Sequence, residues 1–147
     1  MTADASLGIP GAARLPARGY GAFVDSDRYS RTAVTPAAGA GGAASLTAQF
    51  QAVGAGRLWL VERIVVSCTS AAPTSCALYQ DQADALHLLE GTSAGNFDVS
   101  DERSPLVIDS LSLLLVVWSP VTGTIPAGAV GTCRVQVREL QRVSGVS

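Results

Sequence analysis

An all-β fold, a β-sandwich of about eight short strands, is what this sequence predicts, and three observations carry it. Apolar and polar residues alternate with period two through much of residues 45–140, no window repeats with a 3.6 period, and turn residues recur at regular spacing. The organising stretch is Ser104-Pro105-Leu106-Val107-Ile108-Asp109-Ser110-Leu111-Ser112-Leu113-Leu114-Leu115-Val116-Val117-Trp118, closed by Ser119-Pro120. Broken once at Asp109-Ser110, it reads as a short strand, a tight turn and a buried strand. It is too short and too interrupted to span a bilayer, which takes about 20 apolar residues.

Residues 1–44 come first, and twenty-two of them are Ala, Gly or Pro. Leu7, Ile9, Leu15, Tyr20, Phe23, Val24, Tyr29 and Val34 recur there without period, so the segment cannot bury enough surface alone to offset its ordering entropy. A disordered tail is one reading. The other is an extended arm along a neighbouring subunit, which the aromatics favour; Tyr20, Phe23, Val24 and Tyr29 are then its partner-binding residues. Ala37 to Ala44 is the expected hinge. The body is assigned to residues 45–142 and a short tail to 143–147.

Within the body, Leu46, Ala48, Phe50 and Ala52 alternate with Thr47, Gln49 and Gln51 as a half-buried strand. Gly54-Ala55-Gly56 turns the chain into a long β-branched strand, Arg57 to Cys68, whose central Glu62-Arg63 marks a bulge or a solvent-facing pair. After the Ala71-Ala72-Pro73 loop, strands are expected at Ser75–Tyr79, Leu86–Glu90 and Phe97–Val99, with loops at Asp81–Asp84 and Gly91–Asn96. Beyond the organising pair and a turn around Thr122–Gly128, Val130 to Leu140 forms the final strand. There Cys133, Val135 and Val137 face inward, and Thr132, Arg134, Gln136 and Arg138 face water. A sandwich of this strand count is expected to be a jelly roll.

Charge and composition narrow the function. Net charge is −2, which gives no electrostatic case for nucleic acid. With 48% hydrophobic and only 15% charged residues, part of the apolar surface is expected to lie against other chains, in a homo-oligomer. All ten basic residues are Arg, so a Walker A loop, a Schiff base and a Ser–Lys dyad are excluded. The single His87 excludes an HExxH zinc site. Cys68, Cys76 and Cys133 lack CxxC spacing; a Cys68–Cys76 disulfide is geometrically possible, but small buried thiols are expected. Gly91-Thr92-Ser93-Ala94-Gly95 fits the nucleophile-elbow formula without the following helix or later His, and reads as a glycine loop. Asp81/Asp84 and Asp98/Asp101/Glu102 lack EF-hand spacing and read as solvated loops. No catalytic residue, cofactor or metal is expected. The N-terminus has neither a basic nor an apolar signal region, so synthesis and retention in the cytoplasm, or release by lysis, are expected.

A resemblance enters on the body. Trp59-Leu60-Val61-Glu62-Arg63-Ile64-Val65-Val66, then Ala77-Leu78-Tyr79, Pro105-Leu106-Val107-Ile108, Leu115-Val116-Val117-Trp118 and Gly131-Thr132-Cys133-Arg134-Val135 occur in this order. Across residues 57–140 the series resembles small β-sandwich virion proteins of tailed bacteriophages. The resemblance implies a non-enzymatic structural role on the particle, with an N-terminal arm as in several capsid decoration (cement) proteins. The expected assembly is a homotrimer whose arm clamps the major capsid protein on the capsid surface, without nucleic-acid or membrane contact. A tail or baseplate component is the alternative within the virion. A carbohydrate-binding module would instead use Trp59, Trp118 or Tyr79 as a stacking platform.

Overall fold

Period-two patterning becomes strand wherever one face can be buried, and in the computed structural model of this protein nine segments do so. The structure describes residues 23–92, 94–100 and 105–143. Its strands are β1 (Phe23–Val34), β2 (Leu46–Gln49), β3 (Arg57–Cys68), β4 (Thr74–Gln80), β5 (Leu88–Thr92), β6 (Phe97–Ser100), β7 (Leu106–Ile108), β8 (Leu114–Pro120) and β9 (Gly131–Arg142). Two antiparallel sheets result. One is ordered β1-β9-β3-β6, with β7 also on β3; the other is β2-β8-β4-β5. The chain crosses between the sheets after every strand except β4 and β6, and the two strand orders are those of a jelly roll, so the predicted fold class is the observed one. No helix among the described residues is long and apolar enough to cross a membrane.

β6 and β7 share one edge of β3 end to end. β7 pairs with Trp59–Val61 and β6 with Arg63–Val66. The register of β3 against β9 shifts between Val61 and Arg63, so Glu62 is the bulged residue and marks the handover. The bulge expected at Glu62-Arg63 is therefore present. Arg63 also meets Asp98 of β6 through two bonds, at 2.9 and 2.6 Å.

Two expectations are corrected. The body does not begin at residue 45, because Phe23–Val34 is a strand of its own sheet, paired with β9 from Phe23↔Arg142 to Val34↔Thr132. It escaped the pattern because an edge strand buries little of either face: only Phe23 and Ala33 of its twelve residues are buried. The second correction is at residues 85–92. Ala85–His87 is a single 3-10 turn, capped by the Asp84 carboxylate on the Leu86 and His87 amides, and β5 then runs through Gly91 and Thr92. The Asp84 cap outcompetes strand pairing at Leu86 and His87.

The core between the sheets is built on Trp59, Val61, Ile64, Leu78, Ile108, Leu114, Val116, Trp118, Val135 and Val137, all buried. A smaller cluster, Phe23, Leu58, Leu60 and Leu140, packs on the outer face of the five-stranded sheet with Val107 against it. Trp118 is fully buried, and its indole N–H donates to the Gly95 carbonyl at 3.0 Å. Gly131 lets β9 pass over that ring, since a Cβ there would lie 2.6–2.8 Å from three of its carbons. Gly131→Ala is accordingly expected to destabilise the protein by about 1–3 kcal/mol, the usual cost of overpacking a filled core. Chemical denaturation checks this, and an unchanged midpoint would mean the indole can shift freely.

Candidate functional site

β1 is twelve residues long and β2 only four, so the inner face of β1 runs past the strand opposite it. Between them the sandwich opens into a cavity of about 400 Å³. Its walls are Tyr29, Arg31 and Thr32 of β1 and the Gln49–Gly54 segment, with Arg57, Trp59 and Glu139 beneath. That segment is held by Phe50 N–H donating to the Leu114 carbonyl at 3.0 Å and Val53 N–H to the Ser112 carbonyl at 2.8 Å.

Glu139 organises the cavity. Alternation along β9 carries the inward face from Cys133, Val135 and Val137 to Glu139, which lies opposite Trp59 in the register. A carboxylate thus occupies a core position with only 6% exposure. Burial opposes its ionisation, but donors surround it. The Tyr29 hydroxyl donates to Oε1 at 2.5 Å, the Trp59 indole N–H reaches the same oxygen at 3.3 Å, and Arg57 donates to Oε2 at 2.5 Å. These bonds and the Arg57 charge outweigh desolvation and hold the carboxyl below its ordinary value.

Tyr29 answers in the opposite direction. Burial, then its bond to Glu139 and that carboxylate's charge, push the phenol up to about 12. The Trp59 indole N–H, which donates to the phenol at 2.9 Å, and the nearby Arg31 charge only partly offset this. Arg31 lies over the Tyr29 ring, 4.0 Å from its centroid, and Trp59 meets both Tyr29 and Phe50 edge-on at 6.2 and 6.3 Å. The result is a rigid aromatic and carboxylate floor under a rim of Gln49, Gln51, Arg31 and Thr32. Its rim offers amide, hydroxyl and guanidinium groups to a polar ligand, while Glu139 and Tyr29 beneath are bonded to each other.

The expected arm residues separate. Tyr20 lies outside the described residues. Phe23 is buried on the outer face with the Arg142 guanidinium 5.7 Å from its ring centre, while Val24 is 49% exposed. Of the arm residues that are described, Tyr29 alone lines the cavity. Trp59 and Trp118 are buried at 5% and 0%, so neither is a sugar platform, and Tyr79 is half-buried in β4. Ser93, Asp101 and Glu102 lie outside the described residues. Asp81 accepts from the Leu113 amide and the Ser112 hydroxyl, both at 3.0 Å, and Asp84 meets the His87 ring at 2.5 Å. Among the described residues no group of three or more His, Cys, Asp or Glu is arranged to hold a metal ion.

The three cysteines are free thiols, and Cys76 and Cys133 are buried. Burial, with a smaller contribution from a neighbouring cysteine, pushes both up to about 12, which makes them unreactive as thiolates. Intact mass with and without reductant should therefore be identical. A gain of two mass units on reduction would reveal a disulfide instead.

Fold and cavity together define a jelly-roll sandwich with a polar cleft at the mouth between its sheets. No family model matches the sequence, and no curated protein matches it.

Proposed function

We propose that this protein is a non-enzymatic structural component of a tailed-phage particle, a capsid decoration protein that works by binding. One observation carries the non-enzymatic part: the only buried carboxylate among the described residues and the phenol of the cavity satisfy each other. Glu139 is held ionised by three donors, and Tyr29 keeps its proton far above neutral pH. The particle assignment is supported by the resemblance over residues 57–140 and by the jelly roll, an architecture used by viral capsid proteins as well as lectins. In this reading the clamp on the major capsid protein is supplied by the N-terminal residues that precede β1.

Quantitative mass spectrometry of purified native particles tests the proposal. Copy number comparable to the shell protein is the expected result. A few copies per particle would place the chain in the tail, and absence from particles would overturn the reading. Hydrolase activity abolished by Ser93→Ala would overturn its non-enzymatic part.

A further inference from the structure

We infer that two copies of this chain pair through their β1 strands, antiparallel about a two-fold axis at Tyr29, to make one continuous sheet. This rests on the free edge of β1 and not on the particle assignment. Among the described residues β1 pairs only with β9, so its other side is an open edge there, a ready template for another strand. The middle of this strand, Val24 to Arg28 and Arg31 to Thr32, is exposed on the monomer apart from the half-buried Tyr29 and Ser30.

The charges on β1 select the partner. Asp25 and Asp27 precede Arg28 and Arg31, so acids occupy one half and bases the other. Antiparallel pairing of the strand with itself sets each half against its opposite, as an isologous contact requires. The register follows from the backbone. The Arg28 amide donates to the Asp27 carboxylate at 2.8 Å, a bond within the strand that marks this amide as aimed at the free edge. Residues 28 and 30 then both present their amides and carbonyls outward, and Arg28 can form a hydrogen-bonded pair with the partner's Ser30. That register puts Tyr29 opposite itself and Asp27 opposite the partner's Arg31, twice.

Asp27, Tyr29 and Arg31 lie on one face, since their partners on β9 are Glu139, Val137 and Val135. The opposed Asp27 and Arg31 would occupy non-hydrogen-bonded positions, where side chains approach closest. Arg31 forms no ion pair among the described residues; its guanidinium donates instead to the Ser30 carbonyl at 3.2 Å, and this exposed bond, like that of the Arg28 amide to Asp27, is exchanged for the cross-strand contacts on pairing. The shift between Asp25 and Asp27 limits the new ladder to the middle of the strand. The two cavity mouths would then adjoin across the axis, each with its Arg31 at the seam.

Sedimentation of the full-length protein tests the inference. Wild type should sediment at twice the monomer mass. Asp27→Arg alone and Arg31→Asp alone should each be monomeric, with unchanged circular dichroism. An equimolar mixture of the two variants should restore the dimer mass, because each then supplies the charge the other lacks. A monomeric wild type would overturn the inference. So would a trimer, which a two-fold contact cannot close, or single variants that remain dimeric. Failure of the mixture to re-form dimers would overturn the assigned register.

Discussion

Replacing Trp118 with alanine is expected to lower the unfolding free energy by about 3–5 kcal/mol, the range for removing a large buried aromatic. The ring touches both sheets. It belongs to β8, it is fully buried, Gly131 of the opposite sheet is pressed against it, and its N–H is committed to the Gly95 carbonyl. Truncation opens a cavity between backbones already tied by strand pairing, and it leaves the Gly95 carbonyl without its donor. Urea denaturation monitored by circular dichroism measures the loss. A change near zero would contradict a core built around this ring.

The second large effect concerns Glu139. Glu139→Ala removes the acceptor of Tyr29, Trp59 and Arg57 together. Loss of one member of a fully buried ion pair costs about 3–5 kcal/mol. Here Arg57 is 45% exposed and water can replace part of its interaction, so about 2–3 kcal/mol is expected. Glu139→Gln isolates the charge. The folded carboxyl titrates below its ordinary 4.5, so its stabilisation is fully present above that pH and disappears as pH falls through the lower folded value. The stability gap between wild type and Glu139→Gln should therefore narrow on acidification below pH 4.5. A gap independent of pH would mean that the carboxylate charge contributes nothing.

The β-sandwich was legible because β3, β4, β8 and β9 bury one face or both, and burial writes period two into the sequence. β1 was not, because its inner face carries Asp27, Tyr29 and Arg31 over an open cavity and its outer face is largely solvated. Its twelve residues show no period-two burial in sequence while behaving as an edge strand in register. The candidate site was half legible. Extending the inward positions Cys133, Val135 and Val137 by one step reaches Glu139, an acid at a core position that demands partners. Those partners were not legible, since Tyr29 stands 110 residues away in sequence and Arg57 82 away, and only strand order brings them to it. The N-terminal segment changes accordingly: removal of residues 1–44 takes away strand β1.

The position of β9 also bears on how the fold is reached. It is the last strand of the sandwich to be synthesised, yet it lies between β1 and β3, pairing with one along each side. Until residues 131–142 leave the ribosome, β1 has no neighbour in its sheet and the β9-facing edge of β3 is bare. Nearly all pairing in that sheet is long-range, so chain closure must precede most of its stabilisation, and slow folding in the millisecond-to-second class follows. During that interval β1 is unpaired and β3 is bare along one edge, the condition under which chains capture one another. A late central strand therefore makes folding yield depend on how fast residues 131–142 insert.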